Sequence, residues 1–82
     1  MARIIDGKNM NMIGSNVKRL RKARHLSQAE LSNQLELLGV YVCRGSISRI
    51  EDHSRTVTDI ELYALATVLK VSLDELIEST SK

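Results

Sequence analysis

Three polar patterns constrain the fold of this chain more than any other feature, because each predicts where a helix begins. In each pattern a serine or threonine stands three residues before a glutamate, next to an apolar run. The three pairs are Ser27 with Glu30, Thr58 with Glu61, and Ser72 with Glu75. In such a capping box the hydroxyl and the glutamate each accept a hydrogen bond from a backbone N–H that the helix leaves unpaired. These residues are therefore predicted to be structural and not catalytic.

Apolar residues recur at helical spacing after these starts and in two further segments. The predicted stripes are Ile13, Val17 and Leu20 in the first helix, Leu31, Leu35 and Leu38 in the second, Ile47 and Ile50 in the third, Leu62, Leu65, Ala66 and Leu69 in the fourth, and Leu73, Leu76 and Ile77 in the fifth. Gly39 is placed to end the second helix, and residues 40–42 are interpreted as the turn that follows. The spacing predicts an all-α fold, a compact five-helix bundle.

The chain has 82 residues, which is enough for one small domain but leaves no room for a separate catalytic domain. The domain is predicted to span residues 13–79, with a flexible N-terminal arm over residues 1–12 and a short tail over residues 80–82. No apolar stretch is long enough to cross a bilayer, and no secretory signal is evident. We therefore expect a cytoplasmic protein without a membrane partner.

Charge is distributed unevenly along the chain. Residues 1–55 carry ten Lys/Arg against five Asp/Glu, whereas residues 56–82 carry two against five. Such asymmetry suggests a nucleic-acid face at one end of the molecule. The basic run from Lys18 to Arg24 is expected to lie partly on a solvent-facing helix surface, so that one or two of its cations reach phosphates.

The segment Arg44-Gly45-Ser46-Ile47-Ser48-Arg49-Ile50-Glu51 has the layout of a helix that lies on DNA. At about 100° per residue, two isoleucines face inward, while glycine, serine, arginine and Asp52 lie on the opposite side. Arg44 projects from the N-terminal end, where a recognition helix reaches base edges in the major groove. A short amphipathic surface helix would explain the isoleucines but not a polar face with two arginines and two serines.

Other chemistry finds little support. Cys43 is the single cysteine, so neither an internal disulfide nor a thiol metal site is expected, and it is interpreted as a small buried or capping residue. His25 and His53 lack metal-ligand spacing and are interpreted as loop or surface residues. No phosphate-binding glycine loop or acid–base pair is present, so we predict no enzyme activity, cofactor, metal or small-molecule substrate. Two tyrosines are too few for a base-stacking platform, and Tyr63 is assigned to the core or a dimer interface.

Three strings are similar to the Cro/repressor (XRE-like) helix-turn-helix family, of the lambda-repressor-like fold: LSQAEL (residues 26–31), SISRIE (residues 46–51) and LKVSLDEL (residues 69–76). The resemblance covers about residues 13 to 78. It implies a bacterial or phage-encoded transcriptional regulator, nucleoid-associated and typically a homodimer on a palindromic operator.

The resemblance also implies roles for individual residues. Gln28 would contact a phosphate and brace the recognition helix, and Arg21 and Glu51 would form a structural ion pair. The implied DNA-binding residues are Gln28, Arg44, Gly45, Ser46, Ser48, Arg49 and Arg55. Two departures stand out: the segment from Leu35 to Ile47 is longer than the usual turn, and Gly45 lacks a side chain. Specificity would then shift to Arg44 and Arg49, or the glycine would let the backbone approach the DNA closely.

The sequence therefore predicts a regulator that binds a specific double-stranded DNA sequence, with an interface between two copies at the end of helix four and helix five. The residues assigned to that interface are Tyr63, Leu73, Leu76 and Ile77, with residues 40–42 as the weaker candidate. The alternatives are a protein-interaction module, such as an antitoxin or adaptor that uses the acidic C-terminal half, and the DNA-binding fragment of a longer repressor.

Overall fold

The computed structural model describes residues 9–78, which fold into five helices around one apolar core. The helices are α1 (Gly14–Ala23), α2 (Gln28–Leu37), α3 (Arg44–Glu51), α4 (Asp59–Leu69) and α5 (Leu73–Ile77). Within the described range no residue is assigned to a strand. The prediction of an all-α, five-helix bundle is therefore confirmed.

All three capping boxes form as predicted. The hydroxyls of Ser27, Thr58 and Ser72 accept from the backbone N–H of the glutamate three residues later, and each glutamate accepts in turn from the backbone of the capping residue. At α2, for example, the two donor–acceptor distances are 3.0 and 2.8 Å. These local bonds fix where α2, α4 and α5 begin.

The core contains most of the predicted apolar stripes, including the pair of isoleucines on α3. Three residues of the predicted stripes lie outside the core: Leu38 is exposed, and so are Leu73 and Ile77, which were also assigned to the interface between two copies. Leu38 lies just beyond the end of α2 and has left the helical stripe. The two others belong to α5, which has five residues and buries Leu76 instead.

The connection between α2 and α3 runs over residues 38–43 and is held at both ends. Gly39 adopts a left-handed φ of 84°, a conformation that favours glycine, and thereby ends α2 as predicted. The N–H of Val40 donates to the carbonyl of Leu35, and the hydroxyl of Ser32 donates to the carbonyl of Val42. Val42 is buried in the core, whereas the sequence predicted only that it lies in a turn.

The start of α1 is fixed by Asn11, which lies in the predicted N-terminal arm. Its Oδ1 accepts from the N–H groups of Ile13 and Gly14, and its Nδ2 donates to the carbonyls of Ile50 and Arg55. Residues 1–8 of the predicted arm, and the tail over residues 80–82, lie outside the described residues. The side chain of Asn11 thus forms four hydrogen bonds, two with the start of α1 and two with carbonyls at positions 50 and 55.

Two further side chains of α1 reach the ends of later helices. Asn16 donates to the carbonyls of Leu76 and Glu78 at the end of α5. Arg24 donates to the carbonyls of Leu69 and Lys70 at the end of α4. These bonds satisfy carbonyls that have no partner within their own helix, so polar groups of α1 join elements that are distant in sequence.

Candidate nucleic-acid interface

Helix α3 packs against both α1 and α2 and presents one polar face to solvent. Ile47 and Ile50 on its inner side are fully buried. Arg44, Gly45 and Arg49 are exposed on its outer side, and the predicted contact residues Ser46 and Ser48 lie between the two and are half-buried. Five of the seven predicted DNA-binding residues are therefore brought together on one short helix.

Glu51 at the end of α3 is held by two other elements. Arg21 of α1 donates from Nε to Oε2 at 2.7 Å and from Nη2 to Oε1 at 3.2 Å. The side chains are nearly inaccessible, with 10% and 2% of their surface exposed. Arg21 also donates to the carbonyl of Leu26 at 2.7 Å. This charge-assisted pair fixes the end of α3 relative to α1 and the turn before α2.

Gln28, the first residue of α2, completes this network. Its Nε2 donates to Oε1 of Glu51 at 3.1 Å, so it braces the end of α3 through the same carboxylate that Arg21 holds. Among the side-chain nitrogen and oxygen atoms that are buried in the described part of the chain, none is without a hydrogen-bond partner. The network is therefore fully satisfied, and burial of its charge is compensated.

Arg55, in the loop after α3, has a different environment from the one that the sequence suggests. Its guanidinium forms two hydrogen bonds with the carboxylate of Glu61, at 3.0 and 2.9 Å. The hydrogen bonds to Glu61 raise the pKa of Arg55, and those from Arg55 lower the pKa of Glu61. Glu61 also closes the capping box of α4, so Arg55 supports the start of that helix.

Cys43 occupies the N-cap position of α3, but its side chain forms no capping hydrogen bond with the helix backbone, and the alternative of a buried residue is wrong. Its side chain is exposed, and Sγ donates to Oγ of Ser46 at 3.4 Å. The hydrogen bond with the Ser46 hydroxyl is the main cause that lowers the pKa of Cys43. The thiol thus borders the predicted contact residues at the N-terminal end of α3.

His53 fixes the segment that follows α3, a role that the sequence analysis missed. Its backbone is left-handed, with a φ of 64°. One ring nitrogen lies 2.9 Å from the carbonyl of Asn11, and the other lies 2.9 Å from the hydroxyl of Ser15. The partners are 38 and 42 residues away in sequence, so no local pattern signals the contact.

The structure also redistributes the residues assigned to the dimer interface. Leu76 is fully buried and Tyr63 is 69% exposed, so Tyr63 is not a core residue. Four large apolar side chains are exposed on α4 and α5, and we call this set the α4–α5 face: Ile60, Tyr63, Leu73 and Ile77. In residues 9–78 no helix has the length and apolar character needed to cross a membrane.

The chain is similar to a family described as Helix-turn-helix, whose sequence model matches residues 17–76. No match is found among curated protein sequences. Among solved structures, it is similar to the restriction-modification controller protein C.AhdI from Aeromonas hydrophila, with 29% identity over 79% of this chain and 91% of that chain and a TM-score of 0.68.

Two other similar structures contain DNA. The master regulator for biofilm formation SinR, from Bacillus subtilis, was solved in complex with DNA and shows 31% identity, coverage of 82% of this chain and 100% of that chain, and a TM-score of 0.69. The P22 c2 repressor protein, in complex with a synthetic operator, shows 27% identity, coverage of 82% and 94%, and a TM-score of 0.69.

Proposed function

Since this chain belongs to the Cro/repressor type of helix-turn-helix proteins, a family of DNA-binding transcriptional regulators, we propose that it binds a specific operator sequence in double-stranded DNA as a homodimer. The observation that carries this proposal is the outer face of α3. Two arginines and a glycine are exposed on that face and two half-buried serines border it, while Ile47 and Ile50 anchor the inner face in the core.

Helix α3 is proposed to enter the major groove, which admits a single helix. Arg44 and Arg49 are the proposed base contacts, because an arginine side chain forms two parallel hydrogen bonds with guanine. Ser46 and Ser48 lie beside them, and Gly45 brings the backbone close to the DNA. The fixed end of α3 supports this role, since a rigid helix loses little conformational entropy on binding.

Gln28 and Arg55 are proposed to lie at the edge of the interface and to contact the sugar-phosphate backbone. Gln28 is the first residue of a helix, where backbone N–H groups and the helix dipole favour a phosphate. For Arg55, a phosphate would compete with Glu61 for the same guanidinium. Such contacts set the position of a protein on the duplex without distinguishing sequences.

The α4–α5 face supports the dimer. One short helix contacts too few base pairs for useful specificity, whereas a two-fold dimer places two such helices about 34–36 Å apart on one side of the DNA. Four large apolar side chains are exposed on these two helices, which pack against each other, and exposed apolar side chains that lie together are typical of a contact surface.

Titration of a labelled duplex at increasing salt tests the proposal. With about 6 to 10 phosphates neutralised per dimer, the logarithm of the affinity is expected to fall with a slope of about −5 to −9 against the logarithm of the salt concentration. The variant Lys70→Gly, which removes a cation at the end of α4, serves as the control and should keep that slope. No binding at low salt to any member of a genomic fragment library would refute the proposed function.

A further inference from the structure

The connection between α2 and α3 exposes an aromatic ring next to the proposed recognition helix. Tyr41 is 77% exposed, whereas the next residue, Val42, is 3% exposed and belongs to the core. Cys43, which follows Val42, is exposed, and its φ and ψ of −70° and 164° are those of extended backbone. Exposure therefore alternates along this segment, as expected where successive side chains point to opposite sides.

Tyr41 and Cys43 consequently lie on the same outward side of the connection. Two residues of extended backbone span about 7 Å, and Cys43 is the N-cap of α3 in contact with Ser46. The exposed Tyr41 is therefore separated from the N-cap of α3 by at most about 7 Å of backbone. The N-cap begins the helix that the proposed function directs into the major groove.

The segment that carries the ring is firmly held. Val42 is anchored in the core, its carbonyl accepts from the hydroxyl of Ser32 at 2.7 Å, and the N–H of Val40 donates to the carbonyl of Leu35 at 3.0 Å. A tyrosine has two side-chain torsions before its ring, so fixing it costs little entropy compared with a lysine or arginine. The backbone around Tyr41 is thus already ordered before any partner binds.

We propose that Tyr41 contacts the sugar-phosphate backbone of the DNA beside the groove that α3 enters, so that the long connection enlarges the DNA interface. A helix with its side chains is about 10–12 Å wide and nearly fills a groove of about 12 Å. A side chain that extends past the end of such a helix meets the phosphates at the wall of the groove. There the phenol hydroxyl donates to a phosphate oxygen, and the ring packs on the sugar.

The variants Tyr41→Phe and Tyr41→Ala test this proposal, which rests on the proposed function. The probe is a labelled duplex of mixed sequence, titrated at low salt, because a backbone contact acts on every sequence. Removing the hydroxyl is expected to weaken binding about three- to tenfold, and removing the whole ring is expected to weaken it further. The salt slope should stay unchanged, since neither substitution adds or removes a basic residue.

Leu37→Ala is the matched control, because Leu37 is 79% exposed at the end of α2 and has no hydroxyl. It should bind the duplex as the wild type does. All three variants change exposed side chains and are expected to keep the wild-type melting temperature. If the wild type binds the duplex and Tyr41→Ala binds it equally well, the proposal is overturned, and the exposed ring does not contact DNA. If the wild type binds no duplex, the proposed function itself fails.

Tyrosine fluorescence gives a second measurement that does not depend on affinity. The chain contains two tyrosines and no tryptophan, so in the variant Tyr63→Phe the emission comes from Tyr41 alone. Binding of the unlabelled duplex is expected to change that emission. Emission that stays constant at a duplex concentration that saturates the protein would overturn the proposal.

Discussion

The guanidinium of Arg21 reaches the carboxylate of Glu51 and the carbonyl of Leu26, so a single side chain of α1 fixes both the end of α3 and the turn before α2. The sequence alone does not reveal this pair, which we expected from the family resemblance. Its burial decides its energetic role: an exposed pair contributes at most about 1 kcal/mol, whereas loss of one partner of a buried pair is far more costly.

The variants Arg21→Met and Glu51→Gln are each expected to lower the free energy of unfolding by about 3–5 kcal/mol, because each leaves a buried polar partner uncompensated. The double variant should recover part of the summed loss, since both charges are then absent. Urea denaturation of the four proteins measures the coupling. Strictly additive losses would mean that the two side chains do not interact in solution.

Two glycines of α1 and α3 differ in what surrounds them. A Cβ on Gly14 would collide with the backbone carbonyl of Ile50, whereas a Cβ on Gly45 would meet nothing within 4 Å. Gly45→Ala is therefore expected to raise the free energy of unfolding by about 0.5–1 kcal/mol, and Gly14→Ala to lower it by about 1–3 kcal/mol. We further expect Gly45→Ala to weaken DNA binding despite its higher stability. Unchanged affinity in the duplex titration would show that the backbone of Gly45 does not approach the DNA.

At the scale of helices, the starts of α2, α4 and α5 could be predicted from the sequence, whereas the role of Asn11 at the start of α1 could not. A capping box is a contact between residues three positions apart, so the pattern alone identifies it, as for Ser27 and Glu30. The burial of Leu76, which was assigned to the interface between two copies, depends on how α5 packs against the other helices. The contacts of His53 with Asn11 and Ser15 join segments about forty positions apart, and such pairs leave no local signal.

In the candidate site, too, local features could be predicted from the sequence and long-range contacts could not. The outer face of α3 follows from helical periodicity and agrees with the exposure of Arg44, Gly45 and Arg49. The pairing of Arg55 with Glu61 does not follow from periodicity, because the capping box with Thr58 already accounts for a glutamate at position 61. The carboxylate of Glu61 accepts hydrogen bonds both from the backbone of Thr58 and from Arg55, and the sequence pattern identifies only Thr58.

Helices α2 and α3 are expected to contribute differently to binding. Arg49→Ala should relax the preferred sequence, at about 1–3 kcal/mol for the base that the arginine contacts. Gln28→Ala should weaken binding to all sequences alike. Selection from a random duplex library, carried out for both variants and the wild type, distinguishes the two effects. An unchanged preferred site for Arg49→Ala would remove that residue from the base contacts.

At the scale of the whole molecule, the α4–α5 face predicts a dimer. Placing a charge on this face with Tyr63→Glu is expected to shift the protein from dimer to monomer at micromolar concentration, because an interface core disfavours an unpaired charge. Leu37→Glu adds the same charge at a comparably exposed position elsewhere and should leave the dimer intact. Analytical ultracentrifugation with and without a palindromic duplex measures both. A wild-type monomer in both conditions would contradict the prediction.

The bonds from the N-terminal segment to the ends of α3, α4 and α5 have a consequence for how the protein is made. Asn11 donates hydrogen bonds to the carbonyls of Ile50 and Arg55. Arg24 donates to the carbonyl of Leu69, and Asn16 donates to the carbonyl of Leu76. A ribosome delivers the N-terminal residues first, yet their last partner is synthesised about sixty residues later. The contacts of α1 are thus completed only when α5 has been made, and a nascent chain that stalls before α5 cannot form the hydrogen bond from Asn16 to Leu76.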